Sequence, residues 1–494
     1  MPNYIDNLNL IDPKGSVVNA LLQDRETLSL ATNNKNDILI LNNKIDDAVI
    51  ALTNTIKNNI VYVPTSTLNI DNTGATDCAS ILSNVSNNVG FKAGTYLIDS
   101  DCVINAQIVM AGGAKFNVTT GHTLTINGQI LAGRYTIFEG NGNIVVDETK
   151  QEFGYPEWFA DDFTKTLDTF HYVKLARKVY TLETDLILNK SNTKIEGTAY
   201  STNETGDCTI LNFRSTARIR IGTHTSTNIA DFPRNITLSK LFIVGKTNLD
   251  CISIYGVVRP LIEQCYIWTD TAFSGITFYR AIGGTCRDVY VQSVGMSGTF
   301  MGYRFTDEVG TGSAGARAAS VWLINCTYAD TNPQNGNTYG FYIGKHLSDV
   351  YMTNCEVAEA NIGICFDSLE NSYSVDFLIE ACDFDSTRTN AIRIYNCSKG
   401  MISFNNCYAA NKPNASGNIT MQIIDSACQV VLNGLQIILT KNGANAITAD
   451  SNSVALLSDI SILNNDGISN TTALSTSSTN VKGTYIFNGN IVTV

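Results

Sequence analysis

The chain has 494 residues, a net charge of −12, 44% apolar residues and only 16% charged ones. That apolar share supports a sizeable core, in two to four units or one long repetitive one. The negative balance argues against nucleic acid, whose phosphates need clustered Lys and Arg, and against an acidic membrane surface. No apolar run is long enough to span a bilayer. Gly, Asn, Ser and Thr fill the gap left by charge, and proline is rare with 8 residues, which is a turn-rich β composition. Thirteen cysteines without a CxxC phrase fit neither a zinc site nor a redox pair. The opening MPNYIDNLNL has no basic segment followed by an apolar one, so folding in a reducing cytoplasm with free thiols is expected.

From the start of the chain, the first regular pattern is NDILILNNKIDDAVIALTNTIKNN (36–59). Ile38, Leu41, Ile45, Val49, Leu52 and Ile56 recur at helical spacing. A short helix is expected there, packed on copies of itself or capping the end of the β-structure. Residues 1–60 read as a docking and helical segment, 61–155 as a β-rich first part, 156–465 as the main body and 466–494 as a short β cap.

The next stretch carries a family resemblance. NTGATDCASILSNVSNNVGFKAGTYLID (72–99) resembles the opening of the pectate-lyase-like β-helix superfamily, a Gly-x-x-Asp phrase, a helix and a Gly-Thr-Tyr strand. TLTINGQILAGRYTIFEGNGNI (123–144) followed by YPEWFADDFTKTLDTF (155–170) is similar to bacteriophage tailspikes, where a Pro-Glu-Trp-Phe phrase starts a second copy of that opening. KVYTLETDLILNKSNTKIEGT (178–198) matches the second copy. Ala160 stands where a glycine usually follows Phe159, and Phe91-Lys92 replaces an apolar-Pro pair. The resemblance implies a homotrimer of right-handed parallel β-helices in the virion, mounted on a phage tail or another tail fibre protein through the N-terminus. It implies synthesis in the host cytoplasm and action at the bacterial surface, binding and usually cutting a capsule or O-antigen polysaccharide, with no cofactor. It fixes no substrate.

Beyond residue 230 a repeat emerges from the residues themselves. NITLSKLFI, PLIEQCYI, DVYVQSVGM, SVWLINCTY, SDVYMTNCEVAEA, VDFLIEACDF, GMISFNNCY and QVVLNGLQI align on Leu241, Cys265, Val294, Cys326, Cys355, Cys382, Cys407 and Leu435. Between these anchors a second short strand recurs: CISIY, GITFY, GYRFT, GFYIG, GICFD, AIRIY, TMQII. Strands at a variable period in the twenties, without a helical periodicity or an LxxLxL phrase, predict an all-β parallel solenoid whose coils stack to bury their inner faces. The cysteine column then belongs to the core, and Asn325, Asn354 and Asn406 form an inward structural ladder.

Carboxylates concentrate in this repeat. From Val321 to Asn390 there are ten acids and two bases, Lys345 and Arg388. With the anchor inward, the next residue faces out, giving the column Tyr266, Gly295, Thr327, Glu356, Asp383, Tyr408. Glu356 and Asp383 are therefore expected on adjacent coils, with backbones ~4.8 Å apart. Asp330 and Glu359 stack likewise one turn on. Crowded carboxylates raise one another's pKa, as general-acid catalysis of glycoside cleavage requires; the same residues also suit a solvated acidic face. Four residues before each anchor, Leu261, Tyr290, Trp322, Tyr351 and Leu378 form another outward column. Its Tyr290, Trp322 and Tyr351 suit sugar rings or a subunit contact. Arg304 and Arg393 point outward on the second strand and suit an acidic sugar.

These readings give a polysaccharide depolymerase working by hydrolysis with Glu356 and Asp383, and Glu359 and Asp330 as reserves. The alternatives are a lyase, for which His346 follows a core strand, and an adhesin that binds without cutting. No metal or nucleotide motif occurs.

Overall fold

A computed structural model describes residues 61–64, 68–199, 208–223, 226, 228–296, 298–306, 319–331, 337–344, 349–369, 376–398, 400–412 and 419–494. The helix expected over 36–59 and the docking segment lie outside the described residues, as do Lys345, His346 and Glu370. The fold is an all-β parallel solenoid: strands pair in parallel with their counterparts one coil away, except for a C-terminal antiparallel hairpin of Val481–Phe487 and Asn490–Thr493. The chain divides after Val173 into two compact units.

The first unit is built of three short parallel sheets. One stacks Thr73–Asp77, Gly94–Ile98, Ala114–Val118 and Phe138–Gly140, with Tyr96 and Phe116 fully buried. The Pro-Glu-Trp-Phe phrase forms a 3-10 turn, Pro156–Phe159, and buries Trp158, whose Nε1 donates to the Gly133 carbonyl at 2.9 Å. Ala160 closes that turn in the left-handed region at φ 55°. This is a conformation that glycine adopts without cost, which accounts for the usual residue there.

The second unit carries an 11-stranded parallel sheet and a long sheet of 20 strands. The recurring second strands make up the 11-stranded sheet, in the expected register: Ile252, Ile276, Tyr303, Phe341, Ile364, Ile392 and Met421 pair in succession. Each repeat otherwise gives the long sheet two strands, or one long strand, broken by a bend. At that bend Lys240, Gln264, Asp288, Asn325, Asn354, Ala381, Asn406, Gly434 and Asp459 all have φ between 51° and 67°. The bend turns the chain so that the following residue points inward. Asn325, Asn354 and Asn406 are therefore exposed at outer corners and are not an inward ladder. Asparagine suits the place because its short polar side chain tolerates the left-handed conformation.

Register corrects one anchor. Cys265 pairs with Val289, not Val294, and Tyr266 pairs with Tyr290, which in turn pairs with Thr327. The two intervals flanking this coil are then 24 and 37 residues, the extra length lying between Phe305 and Val321. Spreading that insertion over both coils displaces the anchor by five residues, which moves Gly295 out of the outward column.

The core is a stack of matched inner columns. All thirteen cysteines are free and buried, with Cys265, Cys326, Cys355, Cys382 and Cys407 on the anchor column. Burial pushes the Cys355 thiol well above its ordinary range, so it stays protonated and behaves as a small apolar group. On the 11-stranded sheet Gly302 and Gly340 are inward, and a Cβ on either would sit within 2.5 Å of the Tyr328 ring or the Val357 methyls. Glycine there makes room for the large inward residues Tyr328 and Val357, both fully buried. Alternation along the strand then forces their neighbours Thr327 and Glu356 outward.

Candidate active site

The outward column beside the bend reads Phe242, Tyr266, Tyr290, Thr327, Glu356, Asp383, Tyr408, Gln436, each paired with the next. Its rungs are fixed by backbone hydrogen bonds: Glu356 N donates to Cys326 O at 2.9 Å, Asp383 N to Cys355 O at 2.8 Å and Tyr408 N to Cys382 O at 2.9 Å. Glu356 and Asp383 thus stand side by side on neighbouring coils, as their spacing in the sequence predicts. Glu356 is exposed and Asp383 is half-buried. Asp385 lies on the same strand as Asp383 and pairs with Ala358.

Electrostatics separate the two carboxyls. Partial burial, with Asp385 and Glu356 beside it, pushes the Asp383 carboxyl up to about 6. One of its oxygens, Oδ1, is buried without a hydrogen-bond partner, so nothing stabilises the anion there. Glu356 stands in solvent. The adjoining tyrosines respond to the same field. Tyr290 is raised by burial and by Glu356, and Tyr408 by burial, Asp385 and Asp383. Both remain phenols and offer hydrogen-bond donors across the physiological range.

Tyr290 enters this site by the corrected register, not through the Trp322 column. Trp322 and Tyr351 do pair with each other, with rings stacked at 5.5 Å and 18°, and Trp322 is 39% exposed. They lie on the strand before the bend, so they face a different side of the coil from Glu356. Column neighbours there are Thr285 and Leu378.

The two reserves differ from the expected stack. Asp330 pairs with Ser293 and is completely buried, so it presents no carboxyl to solvent. It sits against the Tyr328 phenol, whose pKa it helps to raise well above the ordinary range after burial itself. Glu359 has left the strand, with φ 64°, and its carboxylate is ion-paired with Lys412.

Arg304 and Arg393 belong to the 11-stranded sheet, in one column with Thr277, Tyr342, Cys365 and Gln422. Neither shares a sheet with the carboxylates. Arg304 is 8% exposed, lies over the Phe273 ring and donates to the Tyr279 hydroxyl at 3.3 Å. Arg393 is half-buried, over the Tyr395 ring.

Sequence reasoning passed over an aromatic platform next to the acids. Phe242 and Tyr266 are on the outward column yet buried, packed with Cys208, Ile210 and Val244, and Trp268 and Tyr290 lean against them. Tyr266 and Tyr290 stack at 5.1 Å and 20°. The signal was present: the phrases LFIVG, CYIWT and VYVQS align at intervals of 24 residues once the aromatic after the anchor is used as the guide. Among the described residues no group of three or more His, Cys, Asp or Glu is arranged to hold a metal ion.

No family model matches the chain, and no curated protein does. Solved structures similar to it include the catalytic domain of a GH87 alpha-1,3-glucanase in complex with tetrasaccharides, at 11% identity and a TM-score of 0.40, covering 87% of this chain and 68% of that one. The gp42 tailspike of an Acinetobacter phage is similar at 11% identity and a TM-score of 0.35, covering 88% of this chain and 64% of the tailspike. PfbA, a surface adhesin of Streptococcus pneumoniae, is similar at 11% identity and a TM-score of 0.34, covering 88% of this chain and 94% of that protein.

Proposed function

We propose that the chain is a phage tailspike that depolymerises a bacterial surface polysaccharide, capsule or O-antigen, by glycosidic hydrolysis at Glu356 and Asp383. The observation that carries this reading is the stacking of two carboxyls on neighbouring rungs, one exposed and one half-buried. Asp383, raised to about 6, keeps its proton to a higher pH than an ordinary carboxyl, and exposed Glu356 stands beside it on the next rung. A glycosidase needs that pairing: an acid to protonate the leaving oxygen, and a carboxylate to attack the anomeric carbon or activate water.

In the proposed reaction the Asp383 proton goes to the glycosidic oxygen as that C–O bond breaks. Glu356 supports the positive charge developing at the anomeric carbon. Adjacent rungs hold their backbones ~4.8 Å apart, which lets the two carboxyls reach the ~5–9 Å separations that glycosidases use. Glu356 then serves as nucleophile, with Asp383 as base in the second step, or as the base that activates water. Tyr290 and Tyr408 flank the pair along the solenoid axis and supply ring faces and hydroxyls to the sugars on either side. A rigid rung sets the carboxyl spacing before substrate arrives.

The tailspike setting rests on the Pro-Glu-Trp-Phe context and the solenoid. It includes a homotrimer carried on the virion through the N-terminal segment. A monomer in mass photometry at micromolar concentration rules the trimer out. The chemistry is tested by incubating purified protein with host capsule. New reducing ends without an unsaturated, ultraviolet-absorbing product support hydrolysis. An unsaturated product identifies a lyase, and retention without any product identifies an adhesin.

A further inference from the structure

A second uncommitted surface lies on the 11-stranded sheet. Arg393, Gln422, Thr448 and Ser475 pair in succession on four consecutive coils, forming one outward column. Three rung spacings of ~4.8 Å make this ladder ~14 Å long, the reach of a short oligosaccharide. Its C-terminal part borders an open groove of about 390 Å³ lined by Gln422, Thr448 and Ser475, with Ile424, Asp450 and Ser477 alongside.

The polar groups of the ladder are not used by the fold. Among the described residues, Gln422, Thr448 and Ser475 make no side-chain hydrogen bond, and the buried Nε of Arg393 has no partner. The guanidinium of Arg393 rests over the Tyr395 ring at 5.3 Å and forms no ion pair with a described residue. The nearest acids are already engaged. Asp367 accepts from the Tyr342 hydroxyl and the Ser368 hydroxyl at 2.8 Å each, and Asp450 accepts from the Asp425 N–H at 2.6 Å and the Ser453 hydroxyl at 2.7 Å. A half-buried cation that has an aromatic face but no ion-paired carboxylate gains further from an anion that meets it from outside. Hydroxyls and an amide in line beside it match the edges of sugar rings.

We infer that this ladder is a second glycan-binding site, separate from the Glu356–Asp383 pair, which takes a segment of acidic polysaccharide with one sugar carboxylate on Arg393 and ring hydroxyls on Gln422, Thr448 and Ser475. The ligand class rests on the glycan reading above; the placement does not. Such a site keeps the protein on the polymer while the other face cuts it.

The test uses the full chain and its Arg393→Gln and Thr448→Trp variants on immobilised hexuronate-bearing and sialate-bearing capsular polysaccharides, with dextran as the neutral control. Reducing-end release from short soluble fragments is measured in the same samples. The expected result is retention of wild type on an acidic polymer and not on dextran. Each variant should bind at least about tenfold more weakly, with fragment cleavage unchanged within about twofold. Should Arg393→Gln unfold, Gln422→Ala carries the test on the same column. Equal binding by wild type and variants, or no retention on any acidic polymer, overturns the inference. A parallel fall in binding and cleavage also overturns it, by assigning the column to the cutting site. Arg393-dependent retention without cleavage supports it and refutes the hydrolase reading alone.

Discussion

The two halves of one outward column behave oppositely. Phe242 and Tyr266 occupy the same position after the bend as Glu356 and Asp383, on the same sheet and in continuous register. The first pair is buried under Cys208, Ile210 and Val244, while the second faces solvent and its acids crowd one another. Backbone geometry is common to both, so it decides neither outcome. In a solenoid each coil presents one residue at this position, and chemistry is written rung by rung.

The comparison breaks most visibly in activity. Glu356→Gln and Asp383→Asn are near-isosteric and should each lower turnover by about 10²–10⁴-fold while polysaccharide binding persists. Full turnover in both variants removes the pair from the mechanism. In the aromatic half, Tyr266→Ala should leave chemistry intact but cost roughly 3 kcal/mol of stability, read from denaturant unfolding. A cost below about 0.5 kcal/mol, within the range of ordinary surface changes, means the outer cluster is not packed.

Smaller effects sharpen the same contrast. Cys355→Ser places a hydroxyl in the apolar column behind Glu356 and should cost roughly 1–3 kcal/mol if that hydroxyl is unpaired, without abolishing turnover in the folded fraction. Rapid reaction of native Cys355 with a thiol reagent contradicts the inward register. Asp383→Asn should also change the pH dependence of stability. The folded carboxyl titrates near 6, above its unfolded value of about 3.9. The folded state therefore binds the proton more tightly, and that contribution is complete below pH ~4 and lost as pH rises through ~6. After discounting for partial exposure, the asparagine variant should be about 1 kcal/mol more stable than wild type at pH 8 and indistinguishable below pH 4. Equal stability at both pH values removes the burial penalty. Smallest of all, Ala381 holds the bend before Asp383 at φ 51°, where neighbouring coils use Asn354 and Asn406. Ala381→Asn should stabilise by about 0.5–1 kcal/mol; a loss of stability shows that the side chain there has another role.

How much of this was legible in the sequence depends on the quantity each signal measures. Alternation of apolar residues around Cys355 and Cys382 located both inner and outer faces, which put Glu356 and Asp383 on the outward column where they stand. The recurring second strands were legible for the same reason. Asp330 was not, because the reading puts it on an exposed turn, whereas the strand runs on through it, and four residues past the inward Cys326 alternation carries its side chain into the core beside Tyr328. Tyr290 was misplaced because an insertion hides which coil absorbs the extra length. The asparagines were read as inward because a ladder of amides is one use of a repeated Asn; the left-handed bend is another, and only φ separates them.

The most direct test of the central claim is the pH dependence of kcat/KM for reducing-end release, in wild type and in Asp383→Asn. The account predicts a wild-type rate that falls about tenfold per pH unit above ~6 as Asp383 loses its proton. The residual activity of Asp383→Asn should be orders of magnitude lower and should lack that limb. A wild-type profile flat from pH 5 to 8, or an Asp383→Asn profile that keeps the limb at full rate, contradicts the assignment of Asp383 as the acid.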